Sequence, residues 1–222
     1  IGAGGHGKVV AEVATACGYD NVKFLDDNSP EAIGKIKDMA SFIKKFPNAF
    51  VGIGNNQFRK EMITRLIETG YHIPVLIHPT AYVSKSASIL KGTIVEPMAV
   101  INANVVVERG CIISVGAIVD HDAVLEECVH VNAGAIIKSG AHVEPNYKVE
   151  AGKIIQGYWF FSAKIGNDKS NAAMSGDKKM RKFIRITATM LGTIFAGMEI
   201  WAKMKKGNSV YKNEPSEQNP ME

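Results

Sequence analysis

A histidine between two carboxylates is the clearest chemical signal in this chain of 222 residues. The segment Val119-Asp120-His121-Asp122 places an imidazole ring beside two acidic side chains. Neighbouring carboxylates orient an imidazole and keep it basic, and such a histidine can act as a general base on an amine or a hydroxyl group. His130 follows nine residues later and is predicted to face the same groove. The alternative interpretation is that each is an ordinary solvated histidine.

A glycine-rich turn at the start of the chain suits a phosphate. Residues 2–7 read Gly-Ala-Gly-Gly-His-Gly and match G-x-G-x-x-G, a turn at which backbone N–H groups and a helix N-terminus meet a phosphate. Asp26 and Asp27 end the next predicted strand about twenty residues later, where acidic groups accept hydrogen bonds from a ribose or a base edge. Asn55 and Arg59 follow a third strand. The alternative is that these residues only form turns.

An α/β unit must position these groups. The apolar pattern predicts helices over residues 8–17, 38–46 and 57–68, and strands over 22–26 and 50–53. We therefore predict a small Rossmann-like βαβαβα unit over residues 1–77, with a parallel sheet and a binding edge at the carboxyl ends of the strands. The turn pattern also permits NAD, but the unit is barely half of a dinucleotide-binding fold, so a mononucleotide fits better. The chain begins at Ile1, directly before the turn, and we expect further strand residues to precede it.

A six-residue repeat predicts the element that carries His121. Thirteen consecutive hexapeptides from residue 78 to 155 each end in an aliphatic residue: Val83, Ile89, Val95, Ile101, Val107, Ile113, Val119, Leu125, Val131, Ile137, Val143, Val149 and Ile155. Two positions earlier the side chain is mostly small, with Tyr147 and Lys153 as exceptions. A period of six is typical of a parallel β-helix whose coils each contain three short strands. His121 takes the second hexad position, which points away from the interior.

Charge and cysteine content restrict the class of protein. The net charge is +4, and residues 163–206 contain ten Lys or Arg and three Asp or Glu. The remainder is close to neutral, so the sequence predicts no nucleic-acid partner. The three cysteines show no disulfide or metal spacing, which indicates reduced thiols in a cytoplasmic protein and no metal.

Residues 156–222 follow neither pattern and are predicted to form an extension with one apolar helix and a disordered tail. The apolar segment over 183–202 has basic residues on both sides. Contact with a membrane surface through residues 178–206, at the inner face of the membrane, is one interpretation. A helix that caps the open end of the β-helix or contacts a partner is the other.

Several motifs in order carry a family resemblance. They are Gly4-Gly5-His6-Gly7-Lys8, Phe24-Leu25-Asp26-Asp27, Gly54-Asn55-Asn56 with Arg59, Ile77-His78-Pro79-Thr80-Ala81, and Val119-Asp120-His121-Asp122. Together they resemble the bacterial hexapeptide-repeat sugar acyltransferases, which include UDP-4-amino-sugar N-acetyltransferases and sialic-acid O-acetyltransferases. The resemblance covers residues 1–155. It implies a left-handed parallel β-helix, a homotrimer with active sites between subunits, and acetyl-CoA as co-substrate.

The resemblance also implies roles for individual residues. His121 takes a proton from the acceptor, helped by Asp122. His130 and Ser139 lie near acetyl-CoA. The UDP-sugar is bound by the N-terminal unit, through Gly4, His6, Gly7, Asp26, Asp27, Asn55 and Arg59.

The chain departs from the family in two places. Ser114-Val115 stands where the family usually has Asn-Thr, and Lys138-Ser139 stands where Ala-Gly is usual near the thioester. The hexads also stop near Ile155, whereas the family continues for several coils that hold the coenzyme.

The sequence thus predicts an acetyl-CoA-dependent acyltransferase that acts on an amino or hydroxyl group of a nucleotide-activated sugar, in glycan or surface-polysaccharide synthesis. Two alternatives are a sugar-nucleotide-binding protein with impaired catalysis and a membrane-associated scaffold.

Overall fold

The N-terminal part of the chain forms a small α/β region. The computed structural model of the protein describes residues 1–157. The elements of this region are α1 (Gly5–Ala16), β1 (Phe24–Leu25), β2 (Ala32–Gly34), a 3₁₀ helix (Ile36–Asp38), α2 (Met39–Phe42) and α3 (Asn56–Thr69). The helices predicted over 8–17 and 57–68 are confirmed as α1 and α3. The middle helix is much shorter than the predicted 38–46, since only Met39–Phe42 are α-helical and residues 43–45 form a turn.

Short parallel contacts hold this region together. β1 pairs with β2 in parallel, and β2 was not predicted because three residues are too few to show a period. On the other side of β1, Gly2 N donates to Leu25 O at 2.9 Å. Gly52 N donates to Ile1 O at 2.8 Å, so residues 50–52 run beside the start of the chain. The prediction of a regular strand over 50–53 is therefore wrong, because the structure has no strand there. The segment nevertheless lies beside the first residues of the chain, where a third strand of the predicted sheet would lie.

The second part is a parallel β-solenoid of fourteen two-residue strands. They are β3 (Leu76–Ile77), β4 (Tyr82–Val83), β5 (Ser88–Ile89), β6 (Ile94–Val95), β7 (Val100–Ile101), β8 (Val106–Val107), β9 (Ile112–Ile113), β10 (Ile118–Val119), β11 (Val124–Leu125), β12 (His130–Val131), β13 (Ile136–Ile137), β14 (His142–Val143), β15 (Lys148–Val149) and β16 (Ile154–Ile155).

Three sheets form the faces of this prism. Face 1 contains β3, β6, β9, β12 and β15; face 2 contains β4, β7, β10, β13 and β16; face 3 contains β5, β8, β11 and β14. Each residue pairs with the one 18 positions later, as Val95 does with Ile113. This is three hexapeptides per coil, so the predicted repeat is confirmed. The solenoid starts one hexad earlier than predicted, because Leu76 of β3 pairs with Ile94.

The predicted inward positions form the solenoid core. The hexad-final residues from Val95 to Val149 are buried, as are the small residues two positions before most of them. At the corners, the third hexad position takes a left-handed backbone. Glycine occupies six of these corners, and Met98, Asn104, Asp122, Cys128 and Asn146 occupy five, each with φ of 57–59°. Asparagine and aspartate tolerate this conformation better than other non-glycine residues, so the corners can carry polar side chains.

The α/β region packs against face 1 of the solenoid. Val10, Val13 and Ala14 of α1 contact the outward residues Leu76, Ile94 and Ile112. Six apolar side chains removed from water in this way stabilise the contact by several kcal/mol, at about 25 cal/mol per Å². The packing brings the glycine-rich turn before α1 close to the outer surface of the solenoid.

Within residues 1–157, none of the helices is long and apolar enough to cross a membrane. The predicted apolar helix, the disordered tail and the membrane contact through residues 178–206 lie outside the described residues.

Candidate functional site

The corner site, formed by Asp120, His121 and Asp122, follows β10 where face 2 turns into face 3. The His121 backbone is held on both sides: its N–H donates to Asp120 Oδ1 at 2.8 Å, and its carbonyl accepts from Gly140 N at 2.9 Å. Asp122 N donates to Ala103 O at 2.9 Å and has φ of 58°. The His121 main chain is therefore clamped between two neighbouring coils.

The His121 ring is oriented by Asp122. Nδ1 of His121 lies 2.7 Å from Asp122 Oδ2. An ionised carboxylate only accepts hydrogen bonds, so Nδ1 carries the hydrogen and Nε2 is left as the basic nitrogen. The hydrogen bond to Asp122, with a smaller contribution from the charge of Asp120, raises the pKa of His121. The side chains of His121 and Asp122 are 46% and 47% exposed, so Nε2 is accessible to a reactant.

Ser139 lies next to this corner. It occupies the same hexad position as His121, one coil later, and adjacent strands of a sheet are about 4.8 Å apart. The structure therefore brings Ser139 and His121 to neighbouring coils at the same corner of the solenoid.

A second group of polar residues lies where α1 meets face 1. This junction cluster consists of His6, Glu96, Ser114 and His130. Ser114 Oγ lies 3.2 Å from His130 Nε2, His6 Nδ1 lies 3.7 Å from Glu96 Oε1, and the two imidazole centroids are 6.4 Å apart. Val115 N donates to Glu96 Oε2 at 2.9 Å. The cluster therefore joins the glycine-rich turn to three coils of the solenoid.

Burial controls the charge of the junction cluster. Desolvation, followed by the positive charge of Arg59, lowers the pKa of His6 and of His130 to about 4. Burial also raises the pKa of Glu96, although the bond from Val115 N opposes the rise. Both imidazoles are therefore neutral at pH 7. Within the described residues, His6 Nε2 and His130 Nδ1 are buried without a hydrogen-bond partner, so each is a polar atom that a bound group can satisfy.

The turn before α1 has the geometry of an anion site. Gly4 is the N-cap of α1 and provides no side-chain cap, and the positions where Cβ atoms of Gly4 and Gly5 would lie are open. The first N–H groups of α1 therefore remain available to a phosphate. Gly7 has a packing role instead, because a Cβ there would lie 2.2 Å from Gly2 O. A side chain at position 7 would separate α1 from the first residues of the chain.

The two aspartates after β1 have different environments. Asp26 Oδ2 accepts from Ala3 N at 2.9 Å, and Oδ1 accepts from the backbone N–H of Asn28 and Ser29. These bonds, with that from Ala3 first, lower the pKa of Asp26. Asp26 therefore shapes the glycine-rich turn. Asp27 Oδ1 accepts from Ile36 N at 3.0 Å and keeps its second oxygen for other partners.

Arg59 is displaced from its expected role. It was predicted to offer its guanidinium group to the sugar nucleotide, but it is 1% exposed. Its five N–H groups have five acceptors: the carbonyls of Ile53, Gly54, Gly110 and Cys128, and Asn56 Oδ1. No donor is left for a ligand, and Arg59 instead ties α3 to two coils. Asn55 caps α3 by accepting from Phe58 N at 2.9 Å, which leaves its amide group available.

The predicted residues thus form two separate groups within one chain. His6 and His130 come together in the junction cluster on face 1, whereas His121 lies at the corner between faces 2 and 3. The prediction that His121 and His130 face one groove is not met within a single chain. Sequence reasoning did not assign Glu96. It also missed Asn102 and Asn104, which lie one coil before Asp120 and Asp122, and the 18-residue spacing could have identified them.

Comparisons with known proteins identify the family. The PglD N-terminal domain matches residues 1–66. UDP-N-acetylbacillosamine N-acetyltransferase of Bacillus subtilis (strain 168) is 33% identical over 105 residues, which cover 43% of this chain and 49% of that protein. The acetyltransferase domain of PglB from Neisseria gonorrhoeae FA1090, solved in complex with acetyl coenzyme A, is 37% identical with a TM-score of 0.66. The match covers 70% of this chain and 80% of that domain.

The chain belongs to the hexapeptide-repeat sugar N-acetyltransferases. A further member of this family with a similar structure is GDP-perosamine N-acetyltransferase from Caulobacter crescentus, solved as a mutant in complex with CoA and GDP-perosamine. It is 26% identical with a TM-score of 0.63, and the match covers 70% of this chain and 86% of that one. The expected family and fold are confirmed. The chain spans about half the length of the curated acetyltransferase that it matches.

Among residues 1–157 of this acetyltransferase family member, no group of three or more His, Cys, Asp or Glu could hold a metal ion.

Proposed function

We propose that the protein transfers an acetyl group from acetyl-CoA to an amino group of a nucleotide-activated sugar. The observation that carries the proposal is the His121–Asp122 pair, which leaves Nε2 of a basic imidazole exposed at a rigid corner. The activities of the relatives support this reaction, because the relatives are N-acetyltransferases of UDP- and GDP-linked sugars. Transfer to a sugar hydroxyl group, which the sequence also allowed, has no support from these relatives.

His121 would act as the general base. Its Nε2 accepts a proton from the sugar amine as the amine nitrogen forms a bond to the acetyl carbonyl carbon. The carbon–sulfur bond then breaks, and the proton passes from His121 to the leaving thiolate, which gives free CoA and the acetamido sugar. Asp122 stabilises the imidazolium ion that exists between these two proton transfers. A positioned general base contributes about 10²–10⁴ to the rate.

The N-terminal region would bind the sugar nucleotide. The open N–H groups at Gly4 and Gly5 suit a diphosphate, because a helix N-terminus favours negative charge. Asp27 has one oxygen available for a ribose or a base. The amide group of Asn55 is also available to the nucleotide. We propose a uridine nucleotide, as the match to the PglD N-terminal domain and to a UDP-sugar enzyme suggests. His6 and His130 offer neutral ring nitrogens to the sugar and the acetyl donor.

A homotrimer would bring the two groups of residues together. In one chain the junction cluster lies on face 1 and the corner site lies between faces 2 and 3, so one acetyl transfer that uses both needs a second copy. Face 2 carries exposed apolar residues, with Tyr82 59% exposed and Ile118 and Ile154 also exposed. A row of apolar side chains on a sheet surface favours burial against another subunit. We therefore propose active sites between subunits, and a cytoplasmic enzyme of glycan synthesis with reduced cysteines.

Replacement of His121 tests the reaction. His121→Ala is expected to lower kcat by about 10²–10⁴ with UDP-linked amino sugars, while calorimetric titration with UDP gives an unchanged affinity. His72→Ala is the matched control, because His72 is an exposed histidine of the α/β region bonded to Asn48. A His121→Ala variant that keeps more than half of the wild-type kcat would refute the proposal. Binding of UDP-sugar without binding of acetyl-CoA would identify a sugar-nucleotide-binding protein instead.

A further inference from the structure

The coil before the corner site holds it through two matching side-chain bonds. Asn102 Nδ2 donates to Asp120 Oδ1, and Asn104 Nδ2 donates to Asp122 Oδ1, each at 3.1 Å. Each asparagine precedes its acidic partner by 18 residues, which is one coil. The two bonds differ in their position relative to the imidazole. Asp120 contacts the His121 main chain, whereas Asp122 contacts the ring.

Both oxygens of Asp122 are therefore assigned. Oδ1 accepts from Asn104 and Oδ2 accepts from His121 Nδ1. Because Asp122 is about half exposed, water competes for both oxygens and the carboxylate can rotate unless a second bond holds it. An amide donor has no titration in the ordinary pH range, so the Asn104 bond persists whether His121 is charged or neutral. It also favours the ionised form of Asp122, whose pKa is lowered first by His121 and then by Asn104.

We propose that Asn104 is a positioning residue, whose amide holds the Asp122 carboxylate in the orientation that leaves His121 Nε2 free to act as the base. This inference rests on the proposed function of His121. Asn104 acts through Asp122 and need not touch the substrate. The chain of contacts is Asn104 to Asp122, then Asp122 to the ring, and it connects two successive coils of the solenoid.

A comparison within the chain shows that this bond is not required by the corner itself. Asn146 occupies the same third hexad position with φ of 57°, and its side-chain oxygen is buried without a partner among the described residues. Glycine occupies the position at six other corners, so the backbone does not need an asparagine there. The Asn104 amide can thus be removed without loss of the turn.

Asn104→Gly is the decisive variant, because glycine adopts the left-handed backbone without strain. The Asp122 carboxylate is expected to lose its orientation, so the pKa of His121 falls towards its ordinary value and the acid limb of the rate profile moves to lower pH. The other charged groups near this site are Asp120 on the same loop and Lys138, which takes the position of Asp120 one coil later. Neither is changed in this variant. We expect kcat to fall by about threefold to thirtyfold, less than for loss of the base itself, with KM for both substrates within twofold.

Two further variants complete the test. Asn146→Gly is the matched control and should leave both kcat and the His121 titration, followed by NMR of the ring protons, unchanged. In an Asp122→Gly background, Asn104→Gly should have no additional effect, because its action passes through Asp122. An unchanged His121 titration in Asn104→Gly, or an equal effect with and without Asp122, would overturn the inference. If wild type transfers no acetyl group, the proposed function fails, while the NMR titrations still decide the role of Asn104.

Discussion

Arg59 is predicted to be a major source of stability and not a nucleotide ligand. Its Nε donates to Gly110 O at 2.7 Å, and one terminal nitrogen donates to Cys128 O at 2.8 Å. Both carbonyls belong to corners of successive coils, so these two bonds connect α3 to the solenoid. A hydrogen bond from a charged donor contributes about 1.5–3 kcal/mol, and a buried carbonyl left without a partner loses it. Arg59→Met is therefore expected to lower the free energy of unfolding by about 3–6 kcal/mol.

The measurement is urea denaturation followed by far-UV circular dichroism. Methionine keeps an unbranched apolar stem but has no donor, so the change isolates the guanidinium group. Arg65→Met is the matched control, because Arg65 lies on α3 and is exposed, and its effect should stay within about 0.5 kcal/mol. The loss of the positive charge of Arg59 should also raise the pKa values of His6 and His130. An Arg59→Met variant as stable as Arg65→Met, or one that is stable but has lost UDP affinity, would refute this reasoning.

Three further predictions concern the core, the turn and the junction cluster. Val119→Asp should prevent soluble folding, because it places an unpaired carboxylate in the solenoid interior; normal elution in gel filtration would contradict it. Gly7→Ala should lower stability by about 1–3 kcal/mol through contact with Gly2 O, whereas Gly5→Ala, with open space, should be nearly neutral in the same urea assay. The junction histidines have native pKa values of about 4 against 6.5 unfolded, so the unfolded chain binds more protons between these pH values. The free energy of unfolding should then fall with decreasing pH by up to about 1.4 kcal/mol per pH unit for each histidine. A double variant with His6→Gln and His130→Gln whose stability shows the same dependence on pH would contradict this prediction.

The solenoid could be predicted from the sequence because its repeat is local. Each hexad has one inward position, and an aliphatic residue recurs there without a gap, so only one register buries them all. Val119 and its equivalents lie where the repeat predicted. The same register placed His121 at an outward corner position beside Asp120 and Asp122, because neighbours in sequence remain neighbours at a corner. The polar partner Asp122 was therefore found without tertiary information.

The sequence was less informative where an element is too short to show a period. β2 has three residues, and residues 50–52 make only isolated backbone bonds, so neither has the alternation that identifies a strand. The ends of α2 were mispredicted for the same reason, since its four residues are little more than one helical turn and show no helical period.

The sequence by itself determined the solenoid, its register and the polar corner that carries His121, since these depend on a repeat of six residues. Only the tertiary structure decided the roles of Arg59 and Glu96, because each depends on where α1 and α3 pack against the solenoid. Arg59 lies 51 and 69 residues from the carbonyls of Gly110 and Cys128. No local pattern distinguishes an arginine that binds a ligand from one whose donors are all used by the fold. That distinction follows from burial and from the directions of its five N–H groups, which exist only when the two regions are packed together.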